Sequence, residues 1–162
     1  MYVIESELRQ QFDALARTVQ ALTDQQGEAK EALDGIRTLC VLGCGSSFSL
    51  AKSAATLFSQ HTGVPAYALP AGDVLVNFES YKKLLAGCTL LLSRSGSTSE
   101  VLRAATRCKQ ELGCKVLSVC AREDAPVEEL SHWNLRLPWA FDEAVCQTRT
   151  VSNLYVAVLG LA

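Results

Sequence analysis

Ser93, Arg94, Ser95, Gly96, Ser97 and Thr98 put four hydroxyls and one glycine into six residues. The apolar run Thr89 to Leu92 precedes them, and Val101, Leu102 and Ala105 follow at helical spacing. A strand that ends in such a turn and opens a helix suits an anion. Free backbone N–H groups and the helix dipole favour negative charge there, and Ser and Thr hydroxyls add donors. Gly96 would let the backbone close in on the ligand. An ordinary helix cap needs one hydroxyl, at most two, so four point to phosphate binding beyond capping.

A second turn of this kind reads Gly43, Cys44, Gly45, Ser46, Ser47, Phe48. Neither loop contains the Gly-Lys-Ser/Thr ending of a Walker A loop. A dinucleotide fingerprint would begin at Gly43 and Gly45, but Phe48 stands where its third glycine belongs. The acidic residue that should follow about twenty positions on is missing, since Asp73 comes too late. A phosphosugar gripped by hydroxyls and amides suits both loops better than a nicotinamide or flavin, and no cofactor is expected.

The elements that must position these loops alternate. Residues 38–43, 65–69, 88–93, 115–120 and 132–137 read as strands. Residues 46–61, 73–86, 98–112, 126–130 and 147–162 read as helices, with Gly113 as a C-terminal stop. Alternation predicts an α/β fold, a three-layer αβα sandwich whose sheet is parallel and whose crossovers are right-handed. Five strands fit the flavodoxin-like order 2-1-3-4-5, which sets the loops after strands 1 and 3 across one crevice. Residues 1–35 form a preceding amphipathic helical arm. There Val3, Ile4, Leu8, Phe12, Leu15, Val19 and Leu22 step at threes and fours into one apolar stripe. Residues 36–162 form the ligand-binding domain.

Composition narrows the classes. The chain has 162 residues, 49% of them hydrophobic and 20% charged, as a globular domain with a real core would have. A net charge of -2 without any Lys/Arg cluster argues against nucleic acid as a partner. The apolar runs are too short for a membrane span and the N-terminus has no signal-peptide profile, so a cytoplasmic location is expected. The seven cysteines show no CxxC pair or zinc spacing, so no metal is expected and most should pack as small hydrophobes. Cys44, inside a glycine loop, is the exception.

GCGSS (43–47) and SRSGSTSE (93–100) resemble the two signature loops of SIS (sugar isomerase) domains, and EAVCQTRTVSN (143–153) resembles a third segment. The resemblance covers residues 37–162. It is greatest to the first of two tandem domains in the isomerase part of glucosamine-6-phosphate synthase and in related deglycases and ketose/aldose isomerases. It implies a phosphosugar ligand, and it matches Ser93, Ser95 and Thr98 to phosphate ligands, with the Arg94 amide between them and its side chain free. It matches Ser46 and Ser47 to contacts with sugar hydroxyls or phosphate, though capping of the next helix is their other account. It matches Val145 to a backbone contact with the sugar. It also implies a homodimer or larger assembly and a second SIS domain downstream.

Isomerisation through an enediol needs a base near the first two carbons and an acid to open the ring. In tandem relatives both come from another domain or subunit. Within this chain Asp142 and Glu143 are the candidate catalytic pair, expected at the crevice rim. Spacing from Val145 aligns Asp142 with the family's usual glutamate. Their alternative is a solvated acidic pair near a helix start. For Arg149 a surface ion pair competes with a ligand role. His61 ends the helix 46–61, where a histidine is more often a partner of the helix dipole, His132 opens strand 5 away from the crevice, and the loop 69–73 lacks the histidine of single-domain SIS isomerases. A non-catalytic phosphosugar sensor is the rival function, although residues 1–35 do not read as a DNA-binding segment.

Overall fold

The computed structural model describes residues 2–162. Five strands, β1 (Leu39–Gly43), β2 (Ala66–Pro70), β3 (Cys88–Ser93), β4 (Lys115–Cys120) and β5 (Trp133–Arg136), form one sheet in the order β2-β1-β3-β4-β5. Every pairing is parallel. The flavodoxin-like order read from the alternation is therefore the observed one. Strands β1 and β3 are buried throughout, which is why they read as continuous apolar runs rather than alternating ones.

Alternate residues of these strands feed two separate cores. Leu39, Val41, Leu90 and Leu92 face one side, where they meet α3 (Gln26–Leu33), α4 (Ser46–Thr62) and α9 (Arg149–Gly160). Cys40, Leu42 and Leu91 face the other side. That side is covered by α5 (Ala71–Val76), α6 (Phe78–Leu85), α7 (Ser99–Leu112) and α8 (Pro126–Leu130). The sequence pattern predicts one weak helix over 73–86; the structure has two, broken at Asn77. Helix α7 ends at Gly113 in the left-handed conformation, as its C-terminal glycine predicts. Five of the seven cysteines are buried, and burial pushes the thiols of Cys40 and Cys88 up to about 12, so they pack as neutral apolar groups.

The arm folds as α1 (Val3–Arg9) and α2 (Gln11–Asp24), with α3 continuing from it. Its apolar stripe has the predicted period but not the face that the period suggests. The buried positions of α1 and α2 are Glu7, Ala14 and Thr18, whereas Phe12 is 80% exposed and Val19 53%. Small residues win because α2 lies close along α9. Asn153 of α9 accepts from the Thr18 hydroxyl, which in turn accepts from Trp139 Nε1 at 2.9 Å. At the far end a side chain on Gly160 would strike Leu22. Larger residues at Ala14 or Thr18 would hold the two helices apart.

Gly96 is the tightest point of the β3–α7 turn. Its φ is +62°, and an added Cβ would lie 2.5 Å from Ala125 Cβ and 3.0 Å from Val127 Cγ1. Its carbonyl also accepts from Val127 N at 3.0 Å, which pins the turn to α8. Gly96→Ala should therefore lower unfolding free energy by about 2–4 kcal/mol, combining left-handed strain with overpacking. Denaturant titration would measure this, and a loss below about 0.5 kcal/mol would mean that the turn yields.

Candidate functional site

The register between β1 and β3 pairs Leu42 with Leu91, so the loops that leave the two strands emerge side by side. Between them is a small hollow of about 110 Å³ lined by Cys44, Ser47, Leu92, Ser93, Arg94, Ser95, Thr98 and Gln147. Larger hollows exist elsewhere. One of about 360 Å³, lined by Leu22, Phe58 and Leu161 among others, is mostly apolar and lacks a convergent set of hydroxyls. The small one gathers the hydroxyls of Ser47, Ser93, Ser95 and Thr98. Its volume is well below the roughly 300–1,000 Å³ of whole small-molecule pockets, so it suits a phosphate with the remainder of the ligand outside.

Each wall has a local cause. Strand β1 turns directly into α4 at Gly43, where a Cβ would lie 2.7–2.8 Å from backbone atoms of Ser47 and Phe48. That close approach carries the buried Ser47 into the hollow, while Ser46 points to solvent and does not line it. In the β3–α7 turn the Gly96 amide donates to Ser93 Oγ at 3.0 Å and the Ser97 amide to Ser95 Oγ at 3.2 Å. Ser93 Oγ and Thr98 Oγ1 are 3.5 Å apart. Thr98 is the residue before α7, in extended geometry, so its hydroxyl meets the positive end of that helix. The carboxylate of Glu100 lies in the same first turn; its own backbone amide, and after it the Ser99 hydroxyl that donates to it at 2.9 Å, hold it below the usual carboxylate range.

Cys44 completes the floor. Burial, and after it the Glu100 charge, push its thiol up, against donors from the Gly72 and Ala71 amides. At neutral pH it is a neutral thiol rather than a thiolate nucleophile.

Arg94 does not have the free side chain that the resemblance implies. Its Nη1 donates to the carbonyls of Asp142 at 3.3 Å and Ala144 at 3.2 Å, and its guanidinium lies 5.6 Å from the Phe141 ring centre. The phosphate-type loop is thereby tied to the segment 141–147. That segment brings Gln147, which the motif reading did not single out as a ligand, to the hollow. Its Oε1 is buried without a hydrogen-bond partner among the described residues. The Q-T-R stretch contained it, but a lone glutamine carries no spacing signal. Val145 is 93% exposed and does not line the hollow.

Asp142 and Glu143 separate. Asp142 is not at a solvated rim: it is wholly buried, and its Oδ2 accepts from the amides of Thr148 at 2.7 Å and Thr150 at 2.9 Å. Thr148 is the residue before α9 and Thr150 lies in its first turn, so the carboxylate caps the start of that helix from a distance. Its Oδ1 faces Arg149 Nε at 3.5 Å, a charge pair without good hydrogen-bond alignment. Arg149 further donates to Gln10 and to the Phe141 carbonyl, so it is a clamp on this segment rather than a surface ion pair. Glu143 is exposed. Neither carboxylate lines the hollow. Asp142→Ala should cost about 3–5 kcal/mol of stability, because it strands Arg149 and two amides. Glu143→Ala should change stability by less than about 0.5 kcal/mol, and denaturant titration of the two variants separates these roles.

Among the described residues no group of three or more His, Cys, Asp or Glu side chains is arranged for a metal ion, and no helix is long and apolar enough to cross a membrane.

Comparison with known proteins agrees with this geometry. The chain is 25% identical over 170 residues to the glutamine–fructose-6-phosphate aminotransferase (isomerizing) of Chlamydia trachomatis, covering 99% of this chain but 27% of that protein. It therefore spans about a quarter of the length of the curated relatives it matches. The tagatose-6-phosphate ketose/aldose isomerase of Escherichia coli superposes with a TM-score of 0.87 at 20% identity, over 99% of this chain and 47% of that one. The NanR protein of Vibrio vulnificus, solved with ManNAc-6P, superposes with a TM-score of 0.71 at 20% identity, over 99% of this chain and 59% of its own. The profile of the SIS domain matches residues 32–161, and with most of its length so matched the chain belongs to the SIS domain family.

Proposed function

We propose that this chain binds a sugar phosphate and serves as the first SIS lobe of an aldose–ketose isomerase or deglycase acting on a ketose or amino-sugar phosphate. The observation that carries this is the convergence of Ser47, Ser93, Ser95 and Thr98 on one hollow at the divergence of β1 and β3. The phosphate enters among these hydroxyls and the positive end of α7. The sugar extends outward along the 141–147 segment, where Gln147 and the backbone near Val145 meet its hydroxyls. The relatives' activities, isomerisation and amino transfer on hexose phosphates, support the substrate class.

The proton shuttle comes from a second SIS domain or a second protomer. Supporting this, Asp142 is committed to the start of α9 and Glu143 stands outside the hollow. If the chain has a base of its own, Glu143 is the candidate. A second reading, a phosphosugar sensor without catalysis, is favoured by the likeness to NanR in complex with ManNAc-6P.

Thermal melts with fructose-6-phosphate, glucosamine-6-phosphate, tagatose-6-phosphate and NAD test the ligand class. At a hundred times its dissociation constant a ligand adds about 2.7 kcal/mol, a rise of roughly 5–10 °C for a domain of this size. A response to NAD and to none of the sugar phosphates would overturn the proposal. Ser95→Ala combined with Thr98→Ala should abolish the response, and an unchanged shift would remove the phosphate assignment. Incubation with a ketose phosphate in deuterated water distinguishes catalysis from sensing. Deuterium at the first or second carbon, lost in Glu143→Gln, would place the base in this chain.

A further inference from the structure

Glu7 of α1 is a carboxylate only 4% exposed, and among the described residues no Lys or Arg forms an ion pair with it. Burying such a group without a cation costs several kcal/mol unless hydrogen bonds replace water. They come from one place. Glu7 Oε1 accepts from the backbone amides of Glu143 at 2.7 Å and Ala144 at 3.2 Å, while Oε2 is buried without a partner among the described residues. On its other side the same strip is held by Arg94, which donates to the carbonyls of Asp142 and Ala144. The two residues that flank the strip thus grip opposite polarities of its backbone, and Arg94 itself lines the phosphate-sized hollow. Three residues beyond Ala144 is Gln147, whose Oε1 is a buried acceptor that nothing among the described residues satisfies.

We infer that Glu7 is a positioning residue for the sugar portion of the ligand: through the Glu143 and Ala144 amides it holds the strip that carries Gln147 to the hollow. The inference rests on the proposed phosphosugar reading. The phosphate and the sugar are then held by different parts of the chain. The phosphate belongs to the β3–α7 turn, which Glu7 does not touch. The sugar belongs to the 143–147 strip, which the arm braces. The arm is therefore part of ligand selection and not only a cover for α9.

Titration of wild type, Glu7→Ala and Glu7→Gln with fructose-6-phosphate, glucosamine-6-phosphate, tagatose-6-phosphate and inorganic phosphate tests this. Glu7→Ala should weaken the hexose phosphate that wild type binds by about tenfold, the loss of hydrogen bonds to a charged acceptor, while inorganic phosphate changes by less than about twofold. Glu7→Gln keeps an acceptor oxygen and should stay within about threefold of wild type for both. Equal losses for both ligands would make Glu7 a fold residue only, and no loss for the hexose phosphate would remove the strip from recognition; either overturns the inference alone. A wild type that binds phosphate but none of the hexose phosphates overturns the proposed function and this inference together. Should Glu7→Ala fail to fold, amide exchange in wild type decides. The hexose phosphate must slow exchange at Glu143 and Ala144 while inorganic phosphate does not, and equal exchange overturns the inference.

Discussion

Leu39 pairs with Cys88 and Leu42 with Leu91, so β1 and β3 run in parallel register and end side by side at their carboxyl ends. This ladder is central, buried on both faces and flanked by β2 and β4. A slip of one residue would swap the side chains of the two cores, sending Leu39 and Val41 among α5 to α7 and Cys40 and Leu42 among α4 and α9. Because the register is held, the turn after Gly43 and the turn after Ser93 face each other. Parallel strands also require the chain to return over a face, so α4 and α7 both start at the carboxyl edge of the sheet. Their N-termini and the hydroxyls in front of them follow from that one pairing.

A second device closes the site from the far end of the chain. The segment 141–148 has no strand or helix of its own to pair its backbone, apart from the short 3-10 turn Pro138–Ala140 before it. Several of its backbone groups are instead paired one by one with side chains. Asp142 takes the Thr148 and Thr150 amides, Glu7 takes those of Glu143 and Ala144, and Arg94 and Arg149 supply carbonyl partners. Two carboxylates buried at such a place cost desolvation, and each offsets it with two backbone donors, Asp142 with the Arg149 charge beside it as well. The segment is thereby ordered without being regular, and it brings Gln147 to the hollow.

Much of the fold was legible because its signals are local. The strands 88–93 and 115–120 and the helix 126–130 coincide with the observed elements, since short apolar runs bounded by Gly, Pro and polar turns leave little choice. The hydroxyl-rich turn was legible for the same reason: four hydroxyls around one glycine form a local excess, and Ser93, Ser95 and Thr98 do line the hollow. The face of the arm was not legible. A stripe of Phe12 and Val19 argues for burial by hydrophobicity, but the approach of α9 decides that Ala14 and Thr18 go inside. That decision depends on a helix more than a hundred residues away in the chain.

By itself, then, the sequence determined the alternation of strands and helices, the parallel sheet, and which turn concentrates hydroxyls at the hollow. These depend on spacing within about ten residues, where periodicity and turn chemistry act. Only the tertiary structure decided where Asp142, Arg94, Glu7 and Gln147 go. Asp142 and Glu143 are adjacent and chemically alike, yet one is sealed under α9 and the other is in solvent. Arg94 could have faced a ligand, but two carbonyls from 48 and 50 residues away take its guanidinium. A charged side chain follows whichever partner best replaces its water, and that partner is set by packing between distant segments rather than by neighbours in the chain.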